Sequence, residues 1–237
     1  MKPVFILVRP QLAENVGTAA RAMMNCAIPE MRLVDPDEDP LCSRAIAASS
    51  GADEILRNAK VFKTVEEAVA DLQKVYATTG RPRDMIKPVF TGQGMAKDIQ
   101  AQQSHGVKCG VMFGPERTGL ENEDVAYADA IVNIPLNPKH CSLNLAQAVL
   151  LTGYEIFRLT DSTAEECLPT PNTVPADKTE LEHLFSHLED ELEQAGYFRS
   201  PEKKPRMMRN LRSIFLRANL TSQDVRTLHG VITDLRR

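Results

Sequence analysis

The sequence has no tryptophan, few other aromatic residues and no long apolar run. Aromatic residues make up 5% of the 237 residues, and the N-terminal apolar run, VFILV, spans only Val4 to Val8. A transmembrane helix needs about 20 apolar residues, and a secretory signal needs an apolar segment followed by a small-residue cleavage site. Neither pattern is present. We therefore expect a cytoplasmic protein with no membrane partner.

The cysteines and glycines lack the spacing of common metal, redox and nucleotide motifs. None of the five cysteines stands in a Cys-x-x-Cys pair, which zinc ribbons and redox sites use. There is no His-Glu-x-x-His motif and no P-loop, and Gly92 and Gly94 in TGQGM are too weak a signal for dinucleotide binding. We therefore expect free thiols, as in a reducing cytosol, and no metal ion.

The charged residues are unevenly distributed, although their total is ordinary. They make up 25% of the chain and hydrophobic residues 43%, which is typical of a globular protein. The net charge is -4, but residues 175–195 carry seven acids against one lysine, and residues 196–237 carry ten basic residues against three acids. A basic segment of this kind is typical of a surface that meets phosphate, although basic helical faces are more often simply solvated.

Short apolar runs alternate with helical patterns up to Leu159. The strand-like runs are VFILV, MRLV, VYATT, CGVMF and AIVNI, and the clearest helical patterns cover residues 16–25, 43–48, 65–72 and 143–159. This alternation predicts an α/β fold with a mainly parallel sheet flanked by helices. The next stretch, residues 161–176, is rich in proline and has no basic residue. We therefore place the first domain at residues 1–160 and a linker at residues 161–176.

Residues 177–237 predict a small, basic helical extension. Thr179 and Glu182 have the spacing of a capping box, and leucines recur on one face of the helix that follows. Residues 206–218 repeat the amphipathic pattern, and Thr221 is placed to cap a third helix. Three short helices bury only a small core, so we expect this unit to pack on the first domain or on a second subunit.

The segment ENVGTAARAMMNC, which follows the first strand, combines polar residues with a helical pattern. Asn15 and Gly17 are expected to open the helix, with Asn15 as a cap and Gly17 allowing a backbone to approach closely. Arg21 offers a planar fork of donors that suits phosphate. The plainer interpretation is a helix start followed by a surface arginine.

The segment FGPERTGL follows the CGVMF strand directly. Gly114, Gly119 and Pro115, together with the adjacent Glu116 and Arg117, suggest a shaped ligand loop. A plain turn is the alternative, because glycine and proline are the usual turn residues.

The segment IPLNPKHCSLN joins the AIVNI strand to a long helix. Pro135 and Pro138 fix two backbone angles and remove two donors, so the loop should hold one stiff shape. Ser142 is either the N-cap of the helix or a site residue, and the loop alone favours neither. The carboxyl ends of parallel strands share one edge of a sheet. We therefore expect the three segments to meet there, joined by Thr78, Thr79, Gly80, Arg81 and Arg83, of which the two arginines are alternatively solvated loop charges.

NVGTAAR, FGPERTGL and IPLNPKHCSLNLAQA, in this order and spacing, resemble the motifs of the SPOUT-class (TrmH-like) RNA ribose 2'-O-methyltransferases. The resemblance covers residues 2–160, and the helical tail is similar to that of a branch that methylates cytidine or uridine at position 32 of tRNA anticodon loops. It implies a C-terminal deep trefoil knot, one of the rare exceptions to unknotted topology. It also implies a homodimer, S-adenosyl-L-methionine as the cofactor and tRNA as the substrate.

The resemblance also implies roles for individual residues. Arg21 matches the family's catalytic arginine, with Asn15, Ser142 and Asn144 as its companions, and Arg83 matches a second functional arginine. The expected cofactor-binding residues are Thr78, Thr79, Gly80, Gly114, Glu116, Ile134, Leu136, Cys141, Ser142 and Leu143. The expected RNA-binding residues are Arg9, Arg21, Arg83, Lys203, Lys204, Arg206, Arg209 and Arg212. Cys141 stands where related sequences often carry a small residue such as serine, which matters little if its contact is through the backbone.

Three other functions fit parts of the sequence. A related enzyme acting on ribosomal RNA would share the core motifs and differ in the tail. An RNA-binding protein without catalysis is disfavoured by the intact motif residues. A small-molecule α/β enzyme with a helical cap would show no salt-dependent affinity for tRNA, whereas phosphate contacts weaken steeply with salt.

Overall fold

The computed structural model describes residues 2–80, 85–166, 169 and 172–235. The chain divides into two compact units, Met1–Thr163 and Ala164–Arg237. No helix in the described part of the chain is both long and apolar enough to cross a membrane.

The first unit alternates strands and helices, as expected for an α/β fold. Its strands are β1 (Val4–Val8), β2 (Met31–Val34), β3 (Lys60–Phe62), β4 (Lys74–Thr78), β5 (Val89–Phe90), β6 (Cys109–Phe113) and β7 (Ala130–Val132). Its helices are α1 (Ala13–Asn25), α2 (Ser43–Ser49), α3 (Asp53–Arg57), α4 (Val65–Val69), α5 (Gly92–Ser104), α6 (Asn122–Ala126) and α7 (Leu145–Arg158).

The seven strands form one sheet in the order β3-β2-β1-β6-β4-β7-β5. Every pairing between neighbours is parallel. All five strand-like runs of the sequence are strands, and the parallel α/β fold is confirmed. The short strands β3 and β5 were missed because they lie at the two edges, where Lys60 and Val89 are exposed and no continuous apolar run is needed. Helix α5 was also missed, because it begins within the glycine pair of TGQGM.

The core lies on both faces of the sheet. In β1 every residue is buried, with Phe5 and Leu7 packed towards one face and Ile6 and Val8 towards the other. One face is covered by α1, α5 and α7, together with α2 and α3, and the other by α4 and α6. A strand buried on both faces must be apolar at successive positions. This requirement explains why the central strands read as unbroken apolar runs.

Helix α1 begins three residues earlier than the cap prediction required. Its N-cap is Leu12, so Asn15 lies within the first turn and does not cap the helix. Gly17 is also inside the helix, where a Cβ would lie 2.2 Å from the carbonyl oxygen of Ala45. The predicted close backbone approach at Gly17 is therefore confirmed, and the partner is helix α2.

Helix α7 is capped by Asn144 and not by Ser142. The Asn144 side chain accepts a hydrogen bond from the backbone N–H of Ala146 at 2.8 Å. The backbone N–H of Asn144 in turn donates to Gln147 Oε1 at 3.0 Å. These two bonds form a reciprocal capping box. Ser142 lies two residues before this cap.

The described residues of the second unit form three helices, α8 (Lys178–Gln194), α9 (Lys204–Arg217) and α10 (Ser222–Leu235). Leu181, Leu184, Phe185 and Val225 form its buried apolar core. Its first capping box is Asp177 with Glu180, so the predicted pair Thr179 and Glu182 is wrong. At the third helix the predicted cap is confirmed: the backbone N–H of Asp224 donates to Thr221 Oγ1 at 3.3 Å.

We expect Gly17→Ala to destabilise the first unit by about 2 kcal/mol, because overpacking against a fixed backbone outweighs the gain in helix propensity. Gly94→Ala in α5 is the matched control, since a Cβ there meets its nearest atoms at an ordinary 3.4 Å. That control should be neutral or more stable by up to about 1 kcal/mol. Urea unfolding followed by circular dichroism measures both changes. Equal midpoints for Gly17→Ala and the native chain would contradict the packing argument.

Candidate active site

A cavity of about 530 Å³ lies where β4, β6 and β7 end. These three strands are neighbours in the sheet, so the loops at their carboxyl ends stand side by side. Such an edge is where open α/β sheets usually bind ligands. The residues lining the cavity are Thr78, Thr79, Gly80, Phe113, Gly114, Pro115, Glu116, Arg117, Thr118, Gly119, Val132, Asn133, Ile134, Pro135, Leu136, Cys141, Ser142, Leu143, Leu145 and Ala148.

The cavity wall brings together every residue that the sequence assigned to the cofactor. Those residues come from the ends of β4, β6 and β7 and from the loop before α7. Thr78 Oγ1 donates to the carbonyl oxygen of Met112 at 2.8 Å and so ties the end of β4 to β6. The expected juxtaposition of the β4, FGPERTGL and IPLNPKHCSLN loops is present. The remaining predicted segment, NVGTAAR, reaches the same region through Asn15.

The FGPERTGL loop needs both of its glycines. A Cβ on Gly114 would lie 2.1 Å from the backbone nitrogen of Leu120, so the turn closes only because that atom is absent. Gly119 has a φ of +68°, in the left-handed region that favours glycine. The backbone N–H of Gly119 donates to the carbonyl oxygen of Pro115 at 2.8 Å. The loop is therefore a shaped turn with a fixed backbone.

A chain of hydrogen bonds joins three segments that are distant in sequence. Asn144 Nδ2 donates to Asn15 Oδ1 at 3.0 Å, and Asn15 Nδ2 donates to Glu116 Oε1 at 2.6 Å. The other carboxylate oxygen of Glu116 accepts from the backbone N–H of Gln11 at 3.2 Å. Because each amide uses its oxygen and its nitrogen in different bonds, the orientation of both asparagines is defined.

Arg21 lies apart from this chain. It is six residues after Asn15 on α1, which places it about 120° away around the helix. Its side chain is exposed, and Nη1 donates to Ser50 Oγ at 3.4 Å. Within one chain, the described contacts therefore do not join Arg21 to Asn15 and Asn144. Ser142, the remaining candidate, is exposed on the cavity wall.

Arg9 was expected to bind RNA, but its guanidinium is paired within the fold. Its Nη2 contacts Asp124 Oδ2 at 2.5 Å and lies 3.5 Å from Glu121 Oε2. The hydrogen bond that Arg9 donates to Asp124 raises the pKa of Arg9 above its ordinary value. Arg9 has a φ of +46°, so a left-handed backbone positions this ion pair between the end of β1 and the start of α6.

The basic residues of the tail fall into two groups. Lys204 contacts Glu189 and Glu193 at 2.9 and 2.5 Å, and Arg212 contacts Glu182 at 2.5 Å and lies over the ring of Phe185. The hydrogen bond from Arg212 lowers the pKa of Glu182. By contrast, Lys203, Arg206 and Arg209 belong to a set of exposed basic side chains that have no ion pair within the described part of the chain, a set that also includes Arg199, Arg217 and Arg226.

The two arginines expected after β4, Arg81 and Arg83, lie outside the described residues. Among the residues that are described, no group of three or more histidine, cysteine or acidic side chains could hold a metal ion.

Several residues that shape the site were missed from the sequence. Gln147 completes the cap that orients Asn144, and Gln11 supplies a backbone donor to Glu116. Gln147 had a signal, because it stands three residues after Asn144, the spacing of a capping box. Gln11 had none, since its backbone donor acts through a contact 105 residues away in the chain.

Comparison with known proteins assigns both parts of the chain. Residues 2–154 match the SpoU rRNA Methylase family, and residues 179–237 match the C-terminal domain of tRNA methyltransferase TrmJ. The tRNA (cytidine/uridine-2'-O-)-methyltransferase TrmJ of Escherichia coli O6:K15:H31 is 33% identical over 236 residues, which cover 97% of this chain and 93% of that protein.

Solved structures agree with this assignment. The crystal structure of TrmJ from Z. mobilis ZM4 is 43% identical, covers all of both chains and has a TM-score of 0.86. The AdoMet-bound rRNA methyltransferase from Sinorhizobium meliloti, 22% identical over 68% of this chain and 57% of that one, shares the fold with a TM-score of 0.54. The chain therefore belongs to the SpoU methylase family and, by its full-length relatives and its C-terminal domain, to the TrmJ group within it.

Proposed function

We propose that the protein transfers a methyl group from S-adenosyl-L-methionine to the ribose 2'-hydroxyl of a cytidine or uridine in tRNA. The observation that carries this proposal is the cavity at the ends of β4, β6 and β7, beside which Asn15, Glu116 and Asn144 are joined by hydrogen bonds. The family match and the full-length TrmJ relatives support the reaction and the class of substrate.

The cavity fits the proposed cofactor in size and in the chemistry of its wall. Its volume of about 530 Å³ lies within the range of small-molecule sites. Phe113, Val132 and Leu145 provide apolar surface, while Thr79, Gly80 and the loop before α7 provide polar groups. We assign cofactor contacts to the ten residues expected from the sequence, all of which line this wall. Bound there, S-adenosyl-L-methionine supplies a methyl group carried on a sulfonium.

We also propose that the cavity loops form a trefoil knot. The sheet order supports this topology, because β7 lies between β4 and β5, which are consecutive strands earlier in the chain. Strand β7 is inserted between these two strands later in the chain, and the chain leaving β7 at Val132 continues into the loop that closes the cavity. Connections that thread one another are rare, and here the threading would hold three cavity loops together.

For Arg21 we propose stabilisation of the 2'-oxygen as it gains negative charge. A ribose hydroxyl is a poor nucleophile, so a fixed cation aimed at the developing alkoxide lowers the barrier. An arginine side chain keeps its proton in proteins, which excludes it as the general base. Asn15, Ser142 and Asn144 are assigned to positioning the ribose, because holding two reactants in line removes much of the entropic barrier.

We propose that the active form is a homodimer. Leu150, Leu151 and Tyr154 form one exposed apolar stripe on α7, and Met24 on the adjacent α1 is exposed as well. A contiguous apolar patch of this kind is typical of a protein interface. Dimerisation would also explain why Arg21 points away from the asparagine chain of its own subunit, since it could then serve the partner's cavity.

The tail supports tRNA as the substrate, and we propose position 32 as the target. Lys203, Arg206 and Arg209 on and beside α9 provide exposed positive charge for the RNA backbone. The other proposed RNA contacts are Arg9, Arg21, Arg83, Lys204 and Arg212. Of these, Arg9, Lys204 and Arg212 would have to exchange their carboxylate partners for phosphate. A second candidate substrate is ribosomal RNA, which the description of the SpoU family favours.

The direct test incubates the protein with methyl-labelled S-adenosyl-L-methionine and unmodified tRNA, with ribosomal RNA in a parallel reaction. We expect label in tRNA, on the ribose of nucleotide 32. Mapping by nuclease digestion and mass spectrometry identifies the nucleotide. Label on a base, label in ribosomal RNA alone, or no label would each overturn the proposal.

We expect Arg21→Ala to reduce turnover by roughly 100-fold or more, because a preorganised charge next to the reacting oxygen is lost. Arg57→Ala is the matched control, since Arg57 is also an exposed helical arginine but lies on α3, away from the cavity lining. Single-turnover rates with saturating tRNA separate the chemical step from binding. Near-normal turnover in Arg21→Ala would remove this residue from the mechanism.

We expect Leu150→Glu with Tyr154→Glu to convert the dimer to a monomer, because two carboxylates would be buried in an apolar interface. Val61→Glu provides the control, since Val61 is 56% exposed on the edge strand β3. Sedimentation velocity measures the oligomeric state, and the same samples are assayed for methyl transfer. A monomeric native protein that is fully active would show that the stripe has another role.

A further inference from the structure

The cavity wall contains two adjacent charged residues of opposite sign, which differ in their hydrogen-bond partners. Among the described residues that line it, only Glu116 and Arg117 carry a formal charge. Glu116 accepts hydrogen bonds from Asn15 Nδ2 and from the backbone N–H of Gln11. Arg117 is exposed, and its guanidinium has no ion pair or hydrogen bond with the described residues. The two neighbours are therefore not an ion pair.

The backbone that carries Arg117 is fixed. Gly114 packs against the backbone of Leu120, and Gly119 closes the turn through its bond to Pro115. Arg117 lies between these two constraints, on the loop that connects β6 to α6. Only its side chain is left to move. A fixed turn of this kind presents a fork of donors to the cavity with little loss of backbone entropy on binding.

We propose that Arg117 binds an oxyanion at the mouth of the cavity. Arginine binds carboxylate and phosphate through two parallel hydrogen bonds, which a single ammonium group cannot reproduce. The proposal rests on the proposed function, which offers two sources of this chemistry. One is the carboxylate of the methionine part of S-adenosyl-L-methionine. The other is a phosphate of the RNA strand beside the target ribose.

The test compares Arg117→Gln and Arg117→Lys with the native protein. Lys97→Gln is the charge-matched control, since Lys97 is exposed on α5 and does not line the cavity. Calorimetry measures binding of S-adenosylhomocysteine and of 5'-methylthioadenosine, which lacks the carboxylate. Binding of unmodified tRNA is measured over a range of salt concentrations, and thermal unfolding confirms that each variant is folded.

If the oxyanion is the cofactor carboxylate, Arg117→Gln should weaken the binding of S-adenosylhomocysteine by about 10-fold, because one charged hydrogen-bond pair is lost. The affinity for 5'-methylthioadenosine should stay unchanged. If it is an RNA phosphate, both small ligands should bind as before. Affinity for tRNA should then fall, and the slope of log affinity against log salt should decrease by about 1. In either case Arg117→Lys should recover only part of the loss, because it restores the charge without the fork.

Unchanged binding of S-adenosylhomocysteine, with unchanged tRNA affinity and salt slope in a folded Arg117→Gln variant, would overturn the proposal. Failure of the native protein to bind S-adenosylhomocysteine or tRNA is a separate result. It would overturn the proposed function on which the inference rests, and the native samples reveal it before any variant is compared.

Discussion

Parallel pairing of β4 with β6 on one side and β7 on the other is the constraint on which the site depends. Because all three strands run in one direction, their carboxyl ends release three loops at the same edge. Residues that are more than 50 positions apart in the sequence then form one cavity wall. The buried apolar surface on both faces of the sheet stabilises this arrangement. The loops themselves can therefore be polar and shaped for a ligand.

Glu116 is the point at which the wall is joined to the rest of the fold. Its carboxylate accepts hydrogen bonds from Asn15 and Gln11. Asn15 in turn accepts a hydrogen bond from Asn144 at the start of α7. Each bond pairs a polar group of one segment with a polar group of another. The same bonds set the orientation of two amides. Stability and preorganisation of the candidate site thus come from the same interactions.

The tail shows how packing changes the meaning of a charge pattern. The sequence separates an acidic stretch from a basic one, but α8 and α9 bring Glu182 to Arg212 and Glu189 to Lys204. Part of the basic excess is thereby neutralised within the unit. Lys203, Arg206 and Arg209 stay exposed and form no ion pair with the described residues. The strength of an RNA contact depends on which basic side chains stay unpaired, and the net charge of a segment does not tell which ones these are.

The sequence alone determined the strand runs and the α/β class, because buried strands and glycine turns have local signatures. The ten cavity-wall residues predicted for the cofactor followed from the family resemblance. The sequence did not determine that Asn144 caps α7, that Asn15 lies inside α1, or that Thr179 gives way to Asp177 as a cap. Caps depend on backbone angles that neighbouring residues can shift by one turn. Only the tertiary structure decided that the Glu116 carboxylate accepts hydrogen bonds from distant segments. The Arg117 guanidinium, by contrast, has no ion pair or hydrogen bond with the described residues. Side-chain pairing follows from three-dimensional proximity, which no local pattern encodes.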